Sequence, residues 1–247
     1  MLKPCAVIPV YNHEQAVGAV VENVLSHHLP CIVVDDGSGP ACARELDRLA
    51  AAAPENIILL RHESNRGKGS AVLTGARRAA VRGYSHALQI DADGQHRAAD
   101  IPRFLSQAAA HPKALILGSP EYDVSAPALR LWARSLTCLW VSINTLSRRI
   151  QDSMCGFRVY PLSPLLELDR RRKLGARMDF DIEVAVRLYW MGIEIINLPT
   201  PVTYPKNAIS HFRACSDTLL ISQTHATLFF GMLLRLPILL ARRWSAS

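Results

Sequence analysis

Residues Leu88–His96 read LQIDADGQH. A short apolar run stops abruptly at two carboxylates, Asp91 and Asp93, followed by a glycine and the polar pair Gln95 and His96. An apolar run ending in a polar, glycine-containing break reads as a buried strand running into a loop. In an open α/β sheet, ligands bind beyond the carboxyl ends of the strands. Two aspartates one residue apart set hard oxygen ligands close together there. That suits Mg²⁺ or Mn²⁺, which take carboxylates plus substrate phosphates. Aspartate is also common in solvated loops after strands, so the neighbouring segments must decide.

Upstream, Cys5–Val10 (CAVIPV) is a first strand with Pro9 near its exit, followed by the polar loop Tyr11-Asn12-His13. Helical spacing runs from Glu14 to about Ser26. Cys31–Val34 is a second strand ending in Asp35-Asp36-Gly37-Ser38, and Ala41–Ala53 is helical. Asn56–Leu60 is a third strand, the loop Glu63–Gly69 follows, and a helix reaches about Arg82. His86–Ile90 is the fourth strand. Alternating strands and helices predict an α/β protein whose central sheet is parallel, with right-handed crossovers. The loops PVYN, DDGS and DADGQH should therefore meet on one rim.

Downstream the pattern is less regular. Asp100–Ala110 and Leu129–Leu146 have helical character, and Ala114–Gly118 reads as a strand. Gln151–Tyr160 is a loop running into a strand, and Asp181–Met191 is a helix. Ile193–Leu198 is a strand and Pro199–Tyr204 another extended piece. Ala226–Ala241 is the most apolar run.

The 247 residues are 49% hydrophobic and 20% charged, enough for one sizeable core. The formal charge of +7 favours an anionic partner such as nucleotide phosphate or lipid head group. Basic residues are not interleaved with aromatics in a nucleic-acid motif. The six cysteines include no C-x-x-C pair, so neither a zinc ribbon nor a redox pair is indicated, and a reducing compartment is expected. No basic segment precedes a long apolar run at the N-terminus, so no signal peptide is expected.

Five segments together resemble the family 2 glycosyltransferases of GT-A fold, nearest in motif to the dolichyl- and polyprenyl-phosphate mannose synthases. They are IPVYNHE (Ile8–Glu14), VVDDGS (Val33–Ser38), NRGKGSAV (Asn65–Val72), DADGQH (Asp91–His96) and D-x-x-CGFR-x-Y (Asp152–Tyr160). The resemblance implies a nucleotide-diphosphate sugar as donor. It places Pro9, Tyr11, Glu14, Asp35, Asp36, Lys68, Asp91 and Ala92 around the nucleotide sugar. It gives the metal to Asp91 and Asp93 with Gln95 assisting, and puts Asp152 and Arg158 on the acceptor side. A GT-A catalytic domain is expected over residues 1–215, with an apolar helical tail over 216–247.

Sugar transfer from such a donor passes through an oxocarbenium-like state. A hydroxyl acceptor needs a carboxylate base, for which Asp152 stands first and Asp181 second. A phosphate acceptor needs no strong base but should be gathered by arginines, for which Arg158, Arg130 and Arg134 are candidates. Asp35-Asp36-Gly37-Ser38 is also good turn chemistry, and Arg130 and Arg134 would equally suit a solvated helix face. Asp179, Asp181 and Glu183 could simply stabilise a helix N-terminus. His211 falls where related enzymes close a loop over the nucleotide. Asn65–Gly69 lacks P-loop spacing.

The apolar tail is short of the roughly 20 residues needed to span a bilayer and is interrupted by Arg235 and Pro237. An interfacial helix, with Arg235, Arg242 and Arg243 toward anionic lipid, competes with a helix packed on the sheet. The combined expectation is a metal-dependent inverting hexosyltransferase. It would act on a lipid-linked or lipid-like acceptor, peripherally, at the cytoplasmic face of the membrane. A polyprenyl-phosphate sugar synthase, a nucleotidyltransferase and a non-catalytic nucleotide-binding subunit are the alternatives.

Overall fold

The computed structural model describes residues 2–122, 128–203 and 213–244, without the side chains of 128–130, 214, 243 and 244. Strand β1 (Pro4–Val10) is apolar throughout because it lies mid-sheet and is covered on both faces. Its residues alternate between two cores. Cys5 and Val7 join one apolar cluster, while Ala6, Ile8 and Val10 join the other.

Seven strands run in the order β3-β2-β1-β4-β6-β5-β7. They are β2 (Cys31–Asp35), β3 (Ile57–Arg61), β4 (His86–Gln89), β5 (Leu115–Tyr122), β6 (Arg158–Pro161) and β7 (Ile195–Val202). All pairings are parallel except those of β6, which runs antiparallel between β4 and β5. The chain enters β6 from the carboxyl rim, where Arg158 pairs with Gln89 at the end of β4, so it must run backwards. Helices α1 (Val17–Ser26), α2 (Pro40–Ala52) and α4 (Ile101–Ala110) cover one face. Helices α3 (Lys68–Val81), α6 (Leu162–Arg171), α7 (Phe180–Trp190) and part of α8 (Ala214–Leu233) cover the other. Helix α5 (Ala128–Thr145) packs on α7 and α8.

Three elements differ from the sequence reading. Helix α6 has no counterpart there; its Leu162, Leu165 and Leu168 point inward, but the following basic run masks that stripe. The two extended pieces after Ile193 are one strand, β7, held by eight paired positions on β5. The tail is two helices, α8 and α9 (Leu236–Trp244), bent by 78° at their junction. Pro237 has no N–H and is tolerated only in a first turn, so it starts a helix rather than continuing one. No single described helix is long and apolar enough to cross a membrane; the bent pair passes only when taken together.

Residue 215 falls in the first turn of α8, whose inner face carries Ile221, Leu228 and Met232 into the core. His225 on that face is 5% exposed, stacks near Trp140, and meets the Asn144 side chain at 3.3 Å. Burial pushes its pKa down from 6.5 to about 4. A histidine depressed on folding stabilises fully above the unfolded value, and that contribution is lost as pH falls. From about pH 6.5 to 4 the wild type should thus lose up to roughly 3 kcal/mol more than His225→Gln. Parallel acid melts of the two proteins would show the histidine to be irrelevant.

Candidate active site

The loops at the carboxyl ends of β1, β2 and β4 converge on a cavity of about 950 Å³. Pro9, Tyr11, Asp36, Lys68, Asp91, Ala92, Asp93, Gln95, Arg134 and Asp181 all line it. Glu14, Asp35, Asp152 and Arg158 do not.

The first two loops are zipped together. The Ser38 hydroxyl accepts from the Asn12 amide at 3.0 Å, and Asn12 Oδ1 accepts from the Gly39 amide at 2.7 Å. Asn12 sits at φ 52°, which asparagine tolerates better than most residues. Asp35 is buried and turned away, paired with Arg61 at 2.9 Å and accepting from the Ser38 amide at 2.9 Å. Asp36 faces the cavity. It accepts from the amides of Arg66 and Gly67 at 2.9 and 2.7 Å and meets His62 Nδ1 at 2.7 Å. Thr74 holds the other ring nitrogen at 3.0 Å. Asp36 thus fixes the glycine-rich loop that presents Lys68. The sequence offered no sign of His62, a single histidine in a polar stretch. Gly67 is obligatory here: at φ 100° an added Cβ would strike the Ala176 carbonyl.

Lys68 Nζ lies 2.8 Å from Asp91 Oδ2 and 2.8 Å from Asp181 Oδ2. Burial works to lower its pKa, but the two carboxylates outweigh that and hold it above the usual lysine value. Asp181 opens α7 and also accepts from Gln89 Nε2 at 3.3 Å, while the Tyr160 hydroxyl donates to Gln89 at 3.1 Å. Burial would raise the Asp91 pKa, yet Lys68 and His96 bring it below the ordinary value. Asp93 is pushed up, by burial and then by Asp91. The Asp93 carboxylate accepts from the Gln95 amide at 3.0 Å. His96 is pushed down by burial, and its Nε2 is 3.9 Å from Asp91. A backbone bridge from His96 to Val202 ties this loop to β7. Gly156 supports Asp91 from below, since any Cβ there would collide with its carboxylate.

On the side expected for the acceptor, Asp152 is 6% exposed and its carboxylate accepts four hydrogen bonds. It takes both Nε and Nη2 of Arg134, the latter at 2.6 Å, and the amides of Met154 and Cys155 at 2.8 Å each. Nη1 of Arg134 lies outside that pair, and the side chain borders the cavity beside Tyr122. Arg158 departs from its expected place as an acceptor contact. It is fully buried, and its guanidinium donates to the carbonyls of Cys155, Ser153 and Asp181 at 2.9, 3.1 and 3.0 Å. At 0% exposure and off the cavity lining it is out of a ligand's reach, and Arg158 instead clamps the 152–155 loop to α7. Asp179 and Glu183 serve the local frame, through the amides of Arg177 and Gly175 at 3.1 and 2.6 Å. The side chain of Arg130 and all of His211 lie outside the described residues.

No group of three His, Cys, Asp or Glu side chains among the described residues could cage a metal by itself. Asp91 Oδ1 is nevertheless buried without a hydrogen-bond partner, next to a carboxylate, Asp93, that is reluctant to ionise. Such a pair fits a cation whose remaining ligands come from a diphosphate.

A cavity at the rim of a mostly parallel sheet, with paired aspartates and a lysine held between carboxylates, is the arrangement expected of the GT-A fold. The chain matches the model of glycosyl transferase family 2 over residues 5–164, and it belongs to that family. It is 30% identical over 213 residues to polyprenol monophosphomannose synthase of Mycolicibacterium smegmatis, covering 83% of this chain and 78% of that one. It is 32% identical over 181 residues to the UDP-N-acetylglucosamine–dolichyl-phosphate N-acetylglucosaminyltransferase of Methanococcus voltae, covering 67% and 72%. The fold is similar to glucosyl-3-phosphoglycerate synthase of Mycobacterium tuberculosis in complex with Mn²⁺, UDP-glucose and phosphoglyceric acid. There the TM-score is 0.66 at 15% identity, over 94% of this chain and 79% of that one. The mannosyltransferase PcManGT of Pyrobaculum calidifontis, in complex with GDP-mannose and Mn²⁺, scores 0.61 at 18% identity, over 94% and 64%.

Proposed function

We propose that this glycosyltransferase moves a sugar, with inversion, from a nucleotide-diphosphate donor to the phosphate of a polyprenyl-type lipid. The observation that carries the acceptor class is the Arg134–Asp152 pair. The Asp152 carboxylate is engaged by a guanidinium and two amides and does not line the cavity where an acceptor hydroxyl would have to sit. It does hold the guanidinium still, with Nη1 left for an acceptor phosphate. An ionised phosphate oxygen attacks the anomeric carbon without a base. The apolar arm of the cavity, with Trp132, Leu136, Trp140 and Ile221, suits a lipid chain. The printed activities of the relatives at 30–32% identity point the same way.

Pro9, Tyr11 and Asp36 are assigned to the nucleoside, and Ala92 to the floor under the donor. Glu14 and Asp35 act from behind, as supports of the first two loops. Asp91 and Asp93, with Gln95, would hold Mg²⁺ or Mn²⁺, which when bound neutralises the leaving diphosphate. Asp181 is the alternative base if the acceptor is a hydroxyl. The test pairs UDP- and GDP-sugars with a short-chain polyprenyl phosphate or the matching alcohol. Transfer to the alcohol alone would refute the phosphate assignment.

The catalytic part extends to about residue 215, and we assign the α8–α9 tail to the cytoplasmic membrane surface. Phe230 is 67% exposed, Leu234 84% and Ile238 56%. The arginines expected toward anionic lipid do not share that face: Arg235, in the turn between the helices, donates to the Gly231 carbonyl and lies over Trp190, and Arg242 donates to the carbonyls of Tyr189 and Trp190, while the Arg243 side chain lies outside the described residues. Substituting Phe230, Leu234 and Ile238 with serine should reduce binding to anionic vesicles about tenfold or more without lowering the melting temperature. Unchanged vesicle binding would place the membrane contact elsewhere. Cutting the chain at Ser222 is a poorer test, because it removes the buried Leu228 and Met232.

A further inference from the structure

Asp91, Asp93 and Asp181 are among the carboxylates that line the cavity, and Lys68 Nζ sits between Asp91 and Asp181 at 2.8 Å from each. We propose that Lys68 is a resident counter-cation. It holds the charge of the empty donor site, and so makes binding of a divalent cation depend on simultaneous binding of a nucleoside diphosphate. The inference rests on the donor-site assignment above and concerns how that site fills.

The physical chain is short. Lys68 already neutralises Asp91, so a divalent ion arriving alone meets a partly compensated carboxylate and a like charge on the same group. Moving Lys68 away breaks two ion pairs of 2.8 Å unless another anion takes their place. A diphosphate changes each of these conditions. It offers the third ammonium hydrogen an anionic acceptor, supplies oxygens that complete the ion's shell, and screens the two cations from each other. Metal and nucleotide must then strengthen each other's binding by the same factor, since coupling is reciprocal. The loop geometry supports this role. Asp36, placed where the nucleoside is assigned, grips the amides of Arg66 and Gly67 immediately before Lys68, so nucleoside contact and lysine position share one rigid segment.

The test is a binding measurement. Mn²⁺ affinity is read by electron paramagnetic resonance, alone and with saturating GDP or UDP, for wild type, Lys68→Gln and Lys68→Arg. Gln retains two donors for Asp91 and Asp181 without the charge, and thermal melts establish that each variant is folded. In the wild type the nucleotide should tighten Mn²⁺ at least about tenfold, a coupling within the usual range. In Lys68→Gln, Mn²⁺ alone should bind several-fold more tightly than to wild type, with coupling reduced to about threefold or less. Lys68→Arg should keep most of the wild-type coupling. Weaker Mn²⁺ binding to Lys68→Gln in the absence of nucleotide, or coupling equal to wild type, would overturn the inference. If neither nucleotide binds the wild type with Mn²⁺ present, the donor-site assignment itself is wrong and this inference goes with it.

Discussion

Asp93→Asn should lower sugar transfer by about 10²–10³-fold while leaving the melting temperature unchanged or raised. The two halves of that result come from one feature. Asp93 is a carboxylate whose charged form the fold disfavours, through burial and the neighbouring Asp91. At neutral pH such a group costs stability, so removing its charge relieves the folded state. What it loses is half of the anionic pair on which a cation and the donor diphosphate would assemble. The amide still accepts from the Gln95 backbone, so the loop keeps its shape. Activity with Mg²⁺ or Mn²⁺ and Mn²⁺ affinity in the presence of nucleotide should fall together. Near-wild-type turnover, or wild-type activity in excess chelator, would remove Asp93 and the metal from the mechanism.

Asp152→Asn separates the two acceptor chemistries. As the anchor of Arg134, Asp152 acts through the guanidinium. Its amide would offer N–H groups where Arg134 needs an acceptor, and the arginine would lose its fixed orientation. The expected outcome is an acceptor KM raised by about 10–10²-fold, the range for a hydrogen bond to a charged group. kcat should change less, and the pH profile of kcat should keep its shape. Arg134→Lys should do the same in direction, since a lysine keeps the charge but not the fork. Arg134→Ala is the less clean variant: it leaves Asp152 buried and unpaired, at a cost of about 3–5 kcal/mol to stability. A general base gives the opposite pattern, with kcat down by about 10²–10⁴-fold, acceptor KM unchanged and an ionisation missing from the pH profile. That result would restore a hydroxyl acceptor to Asp152.

The framework of the molecule was legible from the chain alone, for a local reason. β1 and β2 are covered on both faces, so their sequences are apolar up to the rim, β4 runs on into the apolar Ile90, and the helices between them carry one-sided spacing. A parallel sheet then brings PVYN, DDGS and DADGQH to one rim without further information. Their resemblance to family 2 glycosyltransferases is borne out by the family match, and the expected GT-A fold by the structural neighbours.

What the residues do within that frame depends on partners far away in the chain. Arg158 reads like a surface arginine in a motif, yet folding closes it among carbonyls from residue 153 to residue 181. Asp35 and Asp36 are adjacent in sequence, but successive residues leaving a strand face opposite ways. Only Asp36 reaches the cavity, while Asp35 is taken up by Arg61. Lys68 becomes a bridge because a helix start at Asp181, more than a hundred residues later, lands beside Asp91. Asp152 is a candidate base in the sequence and an arginine's anchor in the fold, since Arg134 lies one helix away. Hydrophobic period is written in neighbouring residues, so the sheet and its loops could be read directly. Charge, basicity and access to ligand are set by what is packed within a few ångströms, and only the tertiary structure decides that.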